Sequence, residues 1–197
     1  THAENILWNG GGVRVDSGSL AATNTLLHEN ETLQAGGAIA CVTQGSNAVV
    51  RLVNCTIVSN RAATGGGGVY IRAWGAALNY GATLHLVNTI VCSNSTSDLG
   101  LGDPAPGYAH TAAHSVFSPT NLPAGPANSA AAPGFADFAG RDYRLTDAAP
   151  AHNSGTNEPW MAEARDLDGR ARVDGFHRVV DRGCYEYLPR GKMVGIR

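Results

Sequence analysis

The chain has 197 residues, with 14 Lys and Arg against 16 Asp and Glu; 15% of its residues are charged, against roughly 25% in an ordinary soluble domain, and 43% are apolar. That balance excludes a disordered chain and a charge-laced helical bundle. A formal charge of -2 with a single lysine, Lys192, excludes a basic nucleic-acid surface, and no run approaches the roughly 18 apolar residues of a membrane-spanning helix.

The chain opens Thr1-His2-Ala3, with neither a methionine nor a signal peptide, in what reads as the middle of a repeat; excision from a longer protein is the expectation. Three copies of one pattern follow. Glycine runs lead into short apolar stretches at Gly10–Gly12 before Val13, Gly36–Gly37 before Ala38 and Gly65–Gly68 before Val69. Each copy then carries Asn-x5-Asn, with leading asparagines Asn24, Asn54 and Asn88 spaced 30 and 34 residues apart. Three copies in register predict a solenoid, in which no single repeat buries its own apolar face and stacked repeats share one core.

Inside each repeat the periodicity is two. Counted from the last glycine, Val13/Val15, Ala38/Ala40 and Val69/Ile71 point inward, with Arg14, Ile39 and Tyr70 facing out. Leu20/Ala22, Val50/Leu52 and Leu84/Leu86 form a second inward set, with Ala21, Arg51 and His85 opposite. Leu27, Ile57 and Val91 form a third. Each repeat therefore carries three short strands that pair in parallel with their counterparts, and the glycines and β-branched residues disfavour helix. The fold class predicted is all-β, a right-handed parallel β-helix with an irregular C-terminal cap. Asn24, Asn54 and Asn88 fall at the sharp corner between the second and third strands, where a stacked structural asparagine ladder is expected. Sequons at Asn30, Asn54 and Asn94 overlap the same motif.

Coils are expected over 1–100. Residues 101–133 hold six prolines from Pro104 to Pro133 and read as a Pro/Ala/Gly-rich excursion without central strands. Residues 134–188 read as a cap over the last coil, and 189–197 as a strand or linker towards a further domain. Outward positions after the corner (Leu26, His28, Thr56, Val58, Ile90, Cys92), with Val53 and Val87 before it, are largely apolar where a solvated face would be polar. The expectation is that segment 100–160, with Phe117, Phe135, Phe138 and Trp160, folds back over this face rather than leaving it to a second subunit or another domain.

The Gly-Gly-(Gly)-Val openings and the Leu52-Val-Asn-Cys-Thr-Ile-Val-Ser-Asn60 core resemble bacterial right-handed parallel β-helix proteins of the pectate-lyase-like superfamily. The resemblance extends through Ala132-Pro-Gly-Phe-Ala-Asp-Phe138, Gly140-Arg-Asp-Tyr-Arg-Leu-Thr146, Ala149–Asn157, Asp166–Val173 and Val180–Glu186, nearly the whole chain. Asn153, where that pattern usually has Asp, and Cys184, where it has a small residue, depart from it. The resemblance implies the fold and an extracellular or cell-surface setting in a bacterium, and no particular reaction.

Glycoside hydrolysis needs paired carboxylates. Residues 10–98 contain Asp16, Glu29, Glu31 and Asp98 as the acids, and none recurs on equivalent strand positions. Arg51 and His85, outward on adjacent coils, are the best catalytic candidates, set against an unremarkable pair of polar residues on an exposed sheet. The four cysteines (Cys41, Cys55, Cys92, Cys184) lack metal-ribbon or redox spacing and read as buried apolar residues. His110-x3-His114 lacks a nearby glutamate and reads as a loop pair. Asp166-x-Asp168-Gly169 resembles the start of a calcium loop, but His177 stands where the closing glutamate belongs, so an acid-capped turn is favoured over a structural calcium; no other cofactor is expected. The connection between first and second strands grows with each coil, Asp16–Gly18, Thr43–Asn47, then Arg72–Gly81, and the longest holds Arg72, Trp74 and Tyr80, a ligand-binding candidate for a sugar face.

The function expected is a non-enzymatic, adhesin-like or matrix β-helix module that binds polysaccharide or glycoconjugate through those loops, beside other domains of a longer parent protein; self-association is compatible with this expectation. The alternative is a carbohydrate-active lyase or hydrolase of the same superfamily.

Overall fold

A computed structural model describes residues 10–43, 45–73, 80–102, 108–173 and 178–187. Each turn opens at a glycine run because successive turns pass too closely there for a side chain: a Cβ on Gly11, Gly37 or Gly67 would collide with the carbonyl oxygen of Gly37, Gly67 or Ser95 on the next turn. Three strands follow in each turn, and like strands stack. The first sheet is β1 (Val13–Val15), β5 (Ile39–Val42), β9 (Val69–Arg72) and β12 (Leu99–Leu101). The second is β2 (Gly18–Thr23), β6 (Ala48–Val53), β10 (Ala82–Val87) and β13 (Tyr108–Ala113). The third is β3 (Leu26–His28), β7 (Thr56–Val58), β11 (Ile90–Cys92) and β14 (Val116–Phe117). All pairings in these sheets are parallel. A minor parallel pair joins β4 (Glu31–Thr32) to β8 (Arg61–Ala62). The chain is an all-β parallel solenoid of about three turns.

The inward residues of the three sheets meet in one core. Val50, Leu52, Ile57, Val69, Ile71 and Leu84 are fully buried in it, each worth roughly 1.5–3 kcal/mol of hydrophobic stabilisation. The predicted inward sets of the second and third strands hold: Leu20, Val50 and Leu84 stand in register, as do Leu27, Ile57 and Val91. In the second turn the first strand is shifted by one residue from the expectation. Val13 pairs with Ile39 and Val15 with Cys41, so Ile39 and Cys41 enter the core, while Ala40 and Val42 join Ala35 and Tyr70 in a separate cluster. Ala38 occupies the place of a third glycine, donating to Gly68 as Gly12 donates to it, and counting from the last glycine therefore misses by one.

Residues 101–133 are not one excursion. No proline falls between Tyr108 and Phe117, and this stretch supplies β13 and β14 as the last strands of their sheets. Prolines resume at Pro119, after the last strand. The following segment lies along the outer edge: His114 N–H donates to Pro126 O, Phe117 N–H to Ser129 O, and Asn128 Nδ2 to Ala112 O. That segment, rather than 134–188, closes this end of the core, against Ala112 and Phe117.

Residues 134–187 instead lie along the flank. Strands β15 (Phe135–Asp137) and β16 (Asp142–Leu145) form an antiparallel pair, and Tyr143, Leu145, Ala149 and Ala151 pack on Val58, Ile90, Cys92 and Val116. Met161 and Val180 cover Val53. The apolar outer face of the third sheet is thus buried within the chain. Phe135 belongs to this cover, Phe117 is in the core, and Phe138 and Trp160 remain 47% and 40% exposed. Residues 189–197 lie outside the described residues.

Candidate functional site

Asn24, Asn54 and Asn88 take the left-handed conformation expected at a tight corner, with φ of 49°, 53° and 50°, and His114 continues the series at 49°. Their side chains do not form a ladder with one another. Nδ2 of Asn24 donates to Arg165 O, that of Asn54 to Asp181 O and that of Asn88 to Thr156 O, so these asparagines tie the flanking segment to the solenoid. The ladder belongs to the second asparagine of each motif. Asn60 Oδ1 accepts from Asn30 N and Nδ2, Asn94 Oδ1 from Asn60 N and Nδ2, and Asp98 Oδ1 closes the series by accepting from Asn94 N and Nδ2. A second ladder, which the sequence reading missed, runs inside the other corner: Cys55 N–H donates to Thr89 Oγ1, Thr89 N–H to Ser115 Oγ, and Ser115 N–H to Asn128 Oδ1. Its sequence signal is the small polar or thiol residue directly after each corner.

Arg51 and His85 do stand side by side in paired strands. Each is engaged elsewhere. Arg51 Nη2 lies 3.0 Å from Glu158 Oε1, and Glu158 also accepts from Trp160 Nε1 at 2.8 Å. His85 Nδ1 lies 2.8 Å from Thr111 Oγ1. The two are brought together by the sheet but bind structural partners rather than a common atom.

The acidic motifs of the flank are turned inward. Asp166 Oδ1 accepts from the amides of Asp168 and Arg170, and its Oδ2 from Glu186 N–H, which is an acid-capped turn. Asp168 receives Arg144 in a two-pronged pair at 2.6 and 2.9 Å, which holds its carboxyl below the usual range. These carboxylate oxygens are engaged by N–H donors, and among the described residues no group of three His, Cys, Asp or Glu side chains is placed to hold a metal. Beneath that turn, the fully buried Arg172 lies 3.0 Å from Glu186 and donates to the carbonyls of Asp181 and Gly183. The Asp181 carboxylate accepts from Asn153 and Tyr187 amides at 2.6 Å. Burial pushes the Glu186 carboxyl up to about 9, against the opposing pull of Arg172 and with a smaller push from Asp181, and burial also raises the carboxyl of Asp181. All four thiols are buried and unpaired, and burial pushes each to about 11 or 12, the wrong direction for a nucleophile.

The outer face of the first sheet holds a cleft of about 460 Å³. It lies against β9 and β12, between Tyr70, Arg72 and Leu101, with Thr64, Thr96 and Ser97 at its rim. It is open because the last turn has Gly100 and Gly102 where the turn beneath carries Tyr70 and Arg72. A Cβ at Gly100 would run into the Gly66 backbone, and one at Gly102 into the Arg72 side chain. Of the predicted ligand residues, Arg72 lines this cleft, partly exposed Tyr80 is not among its lining residues, and Trp74 lies outside the described residues. The described lining contains no carboxylate, histidine or thiol, so it offers hydrogen bonds, an aromatic ring and a cation, but no acid–base pair. Comparison with protein-family models, with curated proteins and with solved structures gave no match.

Proposed function

We propose that this chain is a non-enzymatic β-helix module of an extracellular or cell-surface protein, adhesin-like or matrix-forming, that holds a glycan in the cleft beside β9 and β12. The observation that carries this reading is the composition of the cleft: Tyr70, Arg72 and hydroxyls around an open hollow, without a carboxylate among the described lining residues. Guanidinium and hydroxyl groups recognise sugar hydroxyls, and Tyr70, packed on Ala35, Ala40 and Val42, forms the wall of the hollow. Hydrolysis of a glycosidic bond would instead require two carboxylates spaced across the substrate. The engagement of Arg51 by Glu158 and of His85 by Thr111 supports the same reading. The motif resemblance to bacterial pectate-lyase-like proteins supports an outward-facing bacterial setting and a place beside other domains of a longer protein.

The test is a glycan array read together with the ultraviolet absorbance of unsaturated uronate products on the same polysaccharides. Binding without product, reduced at least tenfold by Arg72→Ala at an unchanged Tm, is the expected result. Product formed at catalytic rates would overturn the reading in favour of a lyase.

A further inference from the structure

Residues 134–187 and the solenoid share neither a sheet nor the central core. That core runs from Val13 to Phe117 without a residue of the flank. Among the described residues no strand of the flank pairs with the solenoid, since β15 and β16 pair with each other. The flank attaches through two apolar layers, one on Val58, Ile90, Cys92 and Val116 and one on Val53, and through single bonds at the corners. Asn24 and Asn88 donate to Arg165 O and Thr156 O, Gly183 N–H donates to Asn88 O, and Cys184 N–H to Thr56 Oγ1. Apart from Cys184, the buried apolar residues described in the flank (Tyr143, Leu145, Ala149, Ala151, Met161 and Val180) all belong to those two layers. Away from the solenoid, the flank keeps no core of its own.

The segment that meets the corners, residues 180–186, has no helix or strand, and a cluster of buried charges sets its shape. Arg172 pairs with Glu186 at 3.0 Å and donates to the carbonyls of Asp181 and Gly183, while the Glu186 carboxyl accepts from Asp181 N–H at 3.1 Å. The Asp181 carbonyl is the joint. It accepts from Arg172 Nη2 at 3.0 Å within the flank and from Asn54 Nδ2 at 3.2 Å on the solenoid. Removing the guanidinium leaves buried carboxyl groups without their cation and loosens the carbonyl that Asn54 holds.

We propose that residues 134–187 act as a strap that lifts as one unit from an intact solenoid, with the Arg172–Asp181–Glu186 cluster as its catch and the apolar outer face of the third sheet as the surface it uncovers. Lifting breaks corner bonds and two apolar layers but no interstrand ladder of the solenoid, so it costs less than global unfolding. The cysteines divide along the same line. Cys41 and Cys55 lie in the solenoid core. Cys92 lies in the layer beneath the strap, and Cys184 in the strap itself, with its amide on Thr56. All four thiols are buried and unpaired while the strap is closed.

Labelling with an aromatic disulfide reagent in dilute urea tests this, with the modified thiols located by peptide mass spectrometry and the strands followed by circular dichroism. Cys92 and Cys184 should react at one shared rate, roughly tenfold or more above that of Cys41 and Cys55, while the strand signal stays native. Arg172→Met should speed that pair by roughly a further tenfold and leave Cys41 and Cys55 unchanged. Asn54→Gly, which removes one corner bond, should speed the same pair by a smaller factor. Four thiols reacting at a common rate would overturn the proposal, because strap and solenoid would then be one cooperative unit. So would Cys92 reacting alone, since it borders surface hollows through which a local fluctuation reaches it. An Arg172→Met chain that speeds all four alike, or that loses its strand signal, would show the cluster holding the whole fold and overturn its role as a catch.

Discussion

Two asparagines six positions apart in the same motif do different work, and their backbones explain why. Asn54 sits in the left-handed region and aims its amide at the flank; Asn60 follows a left-handed Ser59, is 1% exposed, and satisfies the backbone between turns. Removing the Asn60 side chain takes a partner from donors on Asn30 and acceptors at Leu27 and Val58, partly or fully buried groups that cost roughly 1–3 kcal/mol each when buried and unpaired. Asn60→Ala should therefore lower stability by about 3 kcal/mol in urea denaturation. Asn54→Gly, which keeps the left-handed backbone and loses one bond to Asp181, should cost about 1 kcal/mol. Equal losses would contradict this division of labour. Glu186 makes a pH prediction. Burial, followed by the opposing influence of Arg172 and the like charge of Asp181, moves its carboxyl from 4.5 to about 9 in the fold. The native chain thus keeps a proton that the unfolded chain has released, so this contribution is full below pH 4.5 and is lost as pH rises towards about 9. Tm should fall across that window in the wild type and flatten in Glu186→Gln. A Tm that rises over the same window would show the carboxylate ionised against Arg172.

At the scale of elements, the third sheet is a buried layer between the solenoid core and the flank. Val58 and Ile90, both 0% exposed, meet Tyr143, Leu145 and Ala151. Val58→Thr and Ile90→Thr place a hydroxyl in that dry layer, and each should destabilise a chain of unchanged oligomeric state by about 1–3 kcal/mol, read from Tm and light scattering. An unchanged Tm would mean that the flank does not seal this face in solution. The apolar character of both sides of β7 and β11 was legible in the sequence, because a strand buried on both faces loses its alternation. The covering segment was only partly legible: aromatic content pointed to residues 100–160, but the contacts come from 134–187. The last strands of the second and third sheets were hidden by composition. Prolines at 104 and 106 and again from 119 coloured the whole stretch, although β13 and β14 lie between them.

Over the whole molecule, one core spans every turn from Val15 to Phe117, and each turn is completed by its neighbours. A charge introduced in the middle of that core has no compensating partner. Leu52→Asp, with Leu52 fully buried between Ala22 and Leu86, should abolish folding of the entire chain, measured as loss of the cooperative melt and of strand circular dichroism. A soluble variant with an intact melt would mean that the stacking register is wrong. What the sequence by itself determined was the repeating unit: glycine runs, period-two alternation and Asn-x5-Asn are local patterns, and stacking identical turns converts local spacing directly into parallel pairing. It could not distinguish Ala38 from a third glycine, since that equivalence is defined by the carbonyl of Gly68 on the next turn. Nor could it tell which asparagine bonds to its own kind, or that the acidic motifs after Asp166 close a turn over Arg172 and Glu186. Only the tertiary structure decided these points. Asn54 and Asp181 lie 127 residues apart, and a bond over that separation depends on where the flank docks, which no spacing along the chain encodes.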